Sequence, residues 1–308
     1  MPKQANFAKE IDVKGLLVIN HFLKSEKFDE IHQWLLDAAF AQNVELTLMT
    51  NAEVIIKHNS DSSWLSQTST RPDFVLYWDK DIRLAKFIES YGIRLFNSAD
   101  SIDICDDKAK TYTTLIQKGF SMPKTTVIPM SYFPVDWFSN DILESICNTY
   151  TFPIILKECY GSFGEQVFLL NNTDELKEKM ATLGNKPMII QEFVESSFGR
   201  DIRINVVGDK VVASMYRYSV NGDFRANITS GGKMKSYEPT PEQETMAISA
   251  CKAIGLDFGG VDILFGENDS SVLCEVNSNA HFKNIFDCTG INVADYIISY
   301  IKEEMDEV

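Results

Sequence analysis

The sequence has no apolar run long enough to cross a membrane, and its N-terminal stretch MPKQANFAKEIDVKG is polar. A membrane-spanning helix needs about 18 or more consecutive apolar residues, and a signal peptide needs an apolar core near its start. We therefore expect a cytoplasmic protein that has no signal peptide and does not use a membrane as its partner.

Basic residues are scarce as well. The chain of 308 residues has 29 lysines and arginines against 44 acidic residues, which gives a formal net charge of −15. Proteins that bind nucleic acids need a surplus of basic side chains to neutralise phosphates. The charge balance argues against nucleic acid as the main partner, but it leaves room for a basic cleft that binds a small anion.

Cysteine pairs of the kind that bind zinc are absent. The six cysteines are scattered without a CxxC pair, and the four histidines are not clustered. We expect buried, reduced thiols, as in other cytoplasmic proteins, and we find no serine or cysteine triad for covalent catalysis. His281 is interpreted first as a structural residue, with a position facing the substrate as the alternative.

Short apolar strands alternate with helical patterns over the first hundred residues. The stretches GLLVIN, VELTLMT, FVLYW and IRLFN are strand-like, and helical patterns cover residues 28–39 and 82–91. This alternation is typical of an open sheet of largely parallel strands covered by helices. We predict an N-terminal α/β domain over residues 1–105, in which residues 58–73 form a loop or an irregular crossover.

Two further units are predicted at residues 106–190 and 191–308, since the chain is longer than a single core usually allows. The first has predicted helices from Lys108 to Gly119 and over 174–183, and strands at 125–128, 152–158, 167–170 and 188–194. The second has hairpins around Gly208–Asp209 and 266–270, a helix with Thr240 as N-cap and Pro241 as its first residue, and a final helix over 294–305.

Oxygen-bearing side chains alternate along the last predicted strand, VLCEVNSNA. Glu275, Asn277 and Asn279 point to one face because successive residues of a strand alternate between faces. The hairpin turn places Asp262 opposite Cys274 or Glu275. Two carboxylates and an amide oxygen suit a Mg²⁺ ion that is shared with phosphates. The alternative is an ordinary polar face in contact with water.

A lysine and a glycine-bearing turn follow an apolar strand in the stretch KECYGSFGEQ. Lys157 leaves the strand, and Gly161 and Gly164 let backbone N–H groups approach phosphates. The stretch is neither a Walker A motif nor GxGxxG. An ordinary strand–turn–strand connection therefore stays the alternative.

Two polar stretches lie between these motifs. In QEFVESSFGRDIR, a strand ends in an acidic and an apolar residue whose backbone groups suit an adenine ring, and Asp201 and Arg203 follow at alternate positions. In RYSVNGDFRANITSGG, Arg217, Arg225 and Asn227 flank a glycine turn, and such arginines neutralise the charge of a transferring phosphoryl group. Surface charge is the alternative for both stretches.

Taken in order, these motifs resemble the ATP-grasp superfamily, and most of all its RimK-type branch of ribosomal-protein glutamate ligases, with LysX-like amino-acid ligases as close relatives. The matching positions are Lys108, Lys157 with Gly161 and Gly164, Gln191 to Val194, Asp201 to Arg203, Asp223 to Asn227, and Asp262 with Glu275 to Asn277. Six separated motifs in register make the resemblance specific. It implies an ATP-grasp fold of the α/β class with α+β lobes, preceded by an open parallel α/β preATP-grasp domain.

The resemblance also implies ligands and residue roles. The ligands are ATP and two Mg²⁺ ions, with Mn²⁺ as an alternative metal. The residues implied for ATP are Lys108, Lys157, the lid residues Gly161, Ser162 and Gly164, the adenine residues Gln191, Glu192, Phe193 and Val194, and Asp201, Arg225, Ala226 and Asn227. Arg203, Arg217 and Arg225 are implied as catalytic residues, and Asp262, Glu275 and Asn277 as metal ligands.

The implied activity is that of an ATP-dependent carboxylate–amine ligase that forms an amide through an acyl phosphate, with an amino acid such as glutamate as a substrate. The alternatives are a non-catalytic ATP-binding sensor or scaffold, and a ligase whose acceptor is a protein or carrier-peptide terminus. Homo-oligomerisation is left open.

Two departures from the family pattern bear on this interpretation. Gln166 stands where the closest relatives have glycine, which implies a less flexible lid. After Asn277 the chain reads SNAHFKN, where the RimK pattern has a small residue followed by Ser-Pro-Gly. The second departure leaves the identity of the substrates open.

Overall fold

The computed structural model describes residues 13–133, 135–137, 141–162, 164–228 and 231–306. Within these ranges the chain forms three β-sheets, each with helices packed against it. No helix in these ranges is both long and apolar enough to cross a membrane.

The first sheet is open and fully parallel, with the strand order β2-β1-β3-β4. Its strands are β1 (Val13–Ile19), β2 (Val44–Thr50), β3 (Phe74–Trp78) and β4 (Arg94–Phe96). Its helices are α1 (Glu26–Ala41), α2 (Asn51–Ser60), α3 (Ile82–Glu89) and α4 (Ala99–Asp106). The open parallel sheet predicted for the N-terminal part of the chain is confirmed.

Helix α2 corrects the predicted loop over 58–73, because its last turn occupies residues 58–60. The backbone N–H of Glu53 donates to the Thr50 hydroxyl (3.2 Å), and the Glu53 carboxylate accepts from the Thr50 N–H (2.7 Å). This reciprocal capping box satisfies two otherwise unpaired N–H groups and starts the helix. The T-x-x-E spacing was the sequence signal for α2.

The second sheet is antiparallel and has the order β5-β8-β6-β7. Its strands are β5 (Thr125–Val127), β6 (Ile154–Glu158), β7 (Val167–Leu170) and β8 (Met188–Glu192), and its helices are α6 (Asp141–Thr149) and α7 (Thr173–Leu183). Helix α5 (Lys108–Ile116) precedes β5, and its Leu115 packs in the core of the third sheet. Ile154 and Leu156 pack with α6 and α7 in a buried cluster. Because strand residues alternate, Ile155 and Lys157 lie on the opposite face.

The third sheet is antiparallel and has the order β11-β10-β9-β12-β13. Its strands are β9 (Arg200–Val207), β10 (Lys210–Tyr218), β11 (Lys233–Ser236), β12 (Phe258–Phe265) and β13 (Ser271–Asn277). Helix α8 (Pro241–Ile254) covers one face, and α9 (Lys283–Thr289) and α10 (Val293–Asp306) complete the chain. Thr240 caps α8 and Pro241 is its first residue, as predicted.

The first and third sheets share one buried core. Leu17 and Phe74 of the first sheet belong to the same apolar cluster as Val207 and Phe258 of the third. Asn97, which is fully buried, adds polar contacts between the two sheets. Its amide donates to the carbonyl of Phe258 (2.9 Å), and its Oδ1 accepts from the N–H of Asp257 (2.7 Å). The predicted domain boundaries near residues 105 and 190 stay a prediction.

Candidate functional site

A cavity of about 700 Å³ lies between the second and third sheets and reaches the first. Every residue that the sequence predicted for nucleotide, metal or catalysis lines this cavity. The alternating faces of β6, β9, β12 and β13 explain this convergence, because each strand buries its apolar residues under helices and turns its polar residues inward. The structure thus brings the predicted residues together, and their individual roles stay predictions.

Two lysines line the cavity, one from the second sheet and one from the start of helix α5. Lys157 is buried, and its hydrogen-bond partner among the described residues is the thiol of Cys274, at 3.9 Å from Nζ to Sγ. Lys108, at the start of α5, donates from Nζ to the Gly161 carbonyl (3.2 Å). A buried ammonium with so weak a partner is costly unless an anion joins it. The pair therefore fits the phosphates of a nucleotide.

The glycine turn between β6 and β7 closes over these lysines. Gly161 and Gly164 have φ values of 138° and 76°, a region that side-chain-bearing residues rarely adopt. The Gln166 side chain occupies the space where a Cβ on Gly161 would lie. Arg225 donates from Nη1 to the Gly164 carbonyl (2.7 Å) and pairs with Asp223 (2.8 Å), so the turn is tied to the loop after β10.

At the strand end that was predicted to bind adenine, the polar side chains already form hydrogen bonds within the protein. The Glu192 carboxylate accepts from the Lys124 N–H (2.7 Å), and the Gln191 amide donates to the Thr125 hydroxyl (2.8 Å). These bonds hold β8 against β5. What this edge offers to a flat ring is therefore backbone and the apolar side chain of Phe193, which also lines the cavity.

Four charged side chains form a buried network on the floor of the cavity. Arg203 donates from Nε and Nη2 to both carboxylate oxygens of Asp262, and Arg217 donates to both oxygens of Asp201 (2.6 and 2.8 Å). Arg217 also lies 3.1 Å from Asp262. Burial by itself raises the pKa of Asp262, but the two arginines outweigh burial and hold that pKa below its usual value. Two arginines and two carboxylates keep the floor electrically neutral.

The metal residues predicted from the hairpin meet as expected, with one exception. Asp262 pairs with Glu275 in the β12–β13 ladder, which confirms the predicted register, and a bulge follows directly. The Glu275 carboxylate makes no hydrogen bond or ion pair with any residue that the structure describes. Asn277 donates its Nδ2 to the Gly260 carbonyl (3.4 Å), which leaves its Oδ1 for a cation. Glu275 and Asn277 therefore fit a divalent ion.

Asp262 does not fit a metal in this arrangement, because both of its oxygens accept from guanidinium groups. Among the described residues no group of three or more acidic, histidine or cysteine side chains is placed to hold a metal ion. An ion at this position must therefore complete its coordination with groups from outside the protein, such as phosphate oxygens or water.

The sequence prediction missed the part of the cavity that the first sheet provides. Asn20 and Asp79, which follow β1 and β3, line it together with Phe28 and Trp78. Asp79 is buried and accepts from the Asn20 amide (3.0 Å). The signal was available, since ligands of open parallel sheets bind beyond the carboxyl ends of the strands, where the strand order reverses.

Asn279 and His281, after β13, face this extension and not the metal pair. Asn279 donates its Nδ2 to the Asp79 carbonyl (3.0 Å), and His281 Nε2 lies 3.3 Å from the Lys27 carbonyl. Both residues line the cavity.

Comparison with known proteins identifies the family to which this chain is similar. Residues 105–301 match the model of the RimK-like ATP-grasp domain. The uncharacterised MG012 homolog of Mycoplasma pneumoniae is 33% identical over 248 residues, which cover 80% of this chain and 84% of that protein. A probable alpha-L-glutamate ligase of Legionella pneumophila is 31% identical over 226 residues, covering 71% of this chain and 70% of that protein.

A solved structure shows the same fold over nearly the whole chain. It is the ATP-grasp ligase PsnB, complexed with a phosphomimetic variant of a minimal precursor, Mg and ADP. The TM-score is 0.67 at 16% sequence identity, and the match covers 96% of this chain and 99% of that one.

Proposed function

The chain belongs to the RimK-like ATP-grasp family of ligases, and from this premise we propose that it joins a carboxylate to an amine at the expense of ATP. The family uses ATP and a divalent metal. The observation that carries the proposal is the pairing of a buried, poorly partnered Lys157 on one wall of the cavity with Glu275 and Asn277 on the other. Such a pairing accommodates phosphates between a cation and a metal ion.

The reaction has two steps that balance. A carboxylate oxygen attacks the terminal phosphorus of ATP, the bond to ADP breaks, and an acyl phosphate forms. The amine nitrogen then attacks the acyl carbon, the bond to phosphate breaks, and the nitrogen loses a proton. Positioning and charge neutralisation supply most of the rate, because the reactants carry the bonds that change.

Each wall of the cavity contributes one part of this chemistry. Lys108, Lys157 and Arg225 hold the phosphates, and the Gly161–Gly164 turn with Ser162 covers them. Gln191 to Val194 receive adenine, and Asp201, Ala226 and Asn227 complete the nucleotide site. Arg203 and Arg217 neutralise the acyl phosphate once they leave Asp262. Glu275 and Asn277 would hold the divalent ion, which would supply charge neutralisation, and Asp262 would be a further ligand if Arg203 and Arg217 left it.

We further propose an amino acid such as glutamate as a substrate. The support is the Legionella relative, which is a probable alpha-L-glutamate ligase. A peptide or protein terminus is the other acceptor that fits an amine-using ligase. Either acceptor carries a primary amine, so the same reaction serves both.

A screen for ADP release tests the proposal. Purified protein is incubated with ATP, Mg²⁺ and single or paired amino acids and dipeptides, and mass spectrometry identifies the product. We expect ADP and an amide product with at least one pair. Tight ATP binding without turnover under any acceptor would instead support a sensor or scaffold.

Glu275→Gln is the matched variant. We expect its turnover to fall on the order of 10²-fold, because a neutral amide holds the metal more weakly. Glu267→Gln, in the exposed loop of the same hairpin, is the control and should retain wild-type activity. Equal activity and equal Mg²⁺ dependence in both variants would remove Glu275 from the metal site.

A further inference from the structure

Strand β2 is an edge of the first sheet that no described strand covers. It is seven residues long (Val44–Thr50), and β1 is its one neighbour among the described strands. The opposite edge strand, β4, has three residues, and its Arg94 pairs with Asp257 of the third sheet. Natural edge strands are short, bulged, covered, or protected by lysine or proline, because an open edge can pair with another strand.

The sequence of β2, VELTLMT, carries none of these protections. It contains no lysine or proline, and its register with β1 runs without a bulge. Its one charged residue, Glu45, pairs with Lys14 of β1, at 3.6 Å from Nζ to the carboxylate. The charge at this edge is therefore already neutralised within one chain.

The register of β1 shows which backbone groups of β2 face outward. The Lys14 carbonyl accepts from the N–H of Asp73 (2.8 Å), directly before β3, so Lys14 faces β3 and Leu17, by alternation, faces β2. The register partner of Leu17 is Leu48. In a parallel pair a residue bonds to the two neighbours of its partner, so the N–H and C=O of Leu48 point away from β1. Those of Leu46, two residues earlier, point the same way.

Apolar side chains are exposed on both faces of this edge. Helix α1 packs over one face of β2, where Leu46 lies against the buried core and Leu48 is 42% exposed. Phe40, in the last turn of α1, is 85% exposed. On the other face, Ile56 of α2 is 64% exposed. Exposed apolar residues around an open strand edge are typical of an interface with another protein chain.

The sequence of β2 is complementary to a second copy of itself. In an antiparallel pair centred on Thr47, the middle residue, Leu46 lies opposite Leu48 of the second copy, and Glu45 lies opposite Met49. Leu46 and Leu48 then exchange four N–H···O=C bonds across the pair, through the groups that point outward. No like charges face each other, and four leucine side chains meet on the α1 face.

We propose that two copies of this chain associate through β2, antiparallel about a two-fold axis at Thr47. The two parallel four-stranded sheets then form one sheet of eight strands. This inference does not depend on the proposed ligase function. No residue of β2 lines the cavity, so the cavity stays accessible in both copies.

Sedimentation velocity of the full chain over a range of concentrations tests the proposal. Thr47→Lys places two lysines opposite each other at the axis, and Thr47→Glu places two carboxylates there. We expect the wild-type protein to be dimeric and each variant alone to associate at least about tenfold more weakly, because like charges then face each other at close range.

A mixture of the two variants tests the register of the pair. The lysine of one variant then faces the glutamate of the other, so we expect the mixture to form a one-to-one dimer. Val127→Lys is the matched control, because Val127 is exposed on β5, an edge strand of the second sheet. It should dimerise as the wild type does.

Two results would overturn the proposal. One is a wild-type protein that stays monomeric at every concentration, which leaves the edge to water or to a different protein. The other is a dimer that persists in both Thr47 variants, because the contact then lies elsewhere. Circular dichroism shows that each variant is folded.

Disulfide formation tests the same pair if the charged variants do not fold. Thr47→Cys brings two thiols together at the axis, and we expect a covalent dimer on a non-reducing gel. Glu45→Cys faces Met49 of the second copy and should give only the wild-type background. Equal cross-linking in both variants would also overturn the proposal. ADP release is measured separately, so that a failure of the ligase function leaves this test unaffected.

Discussion

At the scale of single residues, Asp262 determines how the charged side chains of the site pair with one another. Its carboxylate pairs across the hairpin with Glu275, yet it is held by Arg203 and Arg217 from the neighbouring strands. A carboxylate that is saturated by guanidinium groups has to exchange partners before it binds a metal. If Asp262 is to bind a metal, we therefore expect Arg203 and Arg217 to leave it first.

This exchange predicts that Arg203→Met increases the affinity for Mn²⁺ in protein without nucleotide. The substitution removes the two hydrogen bonds from Arg203 and leaves Asp262 with Arg217 alone, so we expect about tenfold tighter binding. Mn²⁺ binding is measured by electron paramagnetic resonance. Lys157→Met is the control, because it removes a cation from the same cavity without touching Asp262. An equal gain in both variants would show that general electrostatics, and not partner exchange, limits metal binding.

The sequence predicted one side of this network and missed the other. The facing of Asp262 and Glu275 follows from strand alternation and the length of one hairpin turn, which are local properties. The pairing of Asp262 with Arg203 depends on β9 lying beside β12, and these strands are separated in the chain by two strands and a helix. Contacts of this kind depend on tertiary packing, which periodicity does not contain.

At the scale of elements, local signals account for most strands and for the capped helices. Helix α8 was predicted from Thr240 and Pro241, and its cap is observed in full: the Gln243 N–H donates to the Thr240 hydroxyl (3.3 Å), and the Gln243 side chain accepts from the Thr240 N–H (2.9 Å). The structure also contains elements that were not predicted, namely α2, α4, α6, α9 and β11. Four of the five are helices or strands of at most nine residues, too short for a periodic pattern to stand out.

The α8 cap gives a stability prediction. Thr240→Ala removes the side-chain acceptor for the first turn and should lower the free energy of unfolding by about 1 kcal/mol. Urea denaturation measures the change. Thr245→Ala, on the exposed face of the same helix, is the control and should change stability by less than about 0.5 kcal/mol. A loss of equal size at both positions would show that the effect is not specific to the cap.

At the scale of the whole molecule, a buried polar cluster joins the first sheet to the third. Asp257 is buried, pairs with Arg94 of β4, and accepts from the Tyr300 hydroxyl (3.4 Å). Burial raises the pKa of Asp257 to about 6, more than Arg94 lowers it. The contact between the two sheets therefore contains a carboxyl group whose charged form is disfavoured in the folded protein.

The sign of the resulting pH dependence follows from linkage. A carboxyl whose pKa is higher in the folded than in the unfolded chain stabilises the fold most when it is protonated. Its contribution is present below about pH 4 and is lost as the pH rises through 6, a change of about 3 kcal/mol in unfolding free energy.

Asp257→Asn should remove this pH dependence. Between pH 4 and pH 7, the free energy of unfolding of the wild type should therefore fall relative to that of the variant. For Asp209→Asn, in an exposed turn, the curve of unfolding free energy against pH should run parallel to that of the wild type. Parallel curves for Asp257→Asn would contradict the assignment.

The shared core of the first and third sheets has a mechanical consequence. Those two sheets are joined by one apolar cluster and by Asn97, whereas the second sheet packs its own separate cluster with α6 and α7. We therefore expect the second sheet, which carries Lys157 and leads into the glycine turn, to move more easily than the first and third sheets move relative to each other.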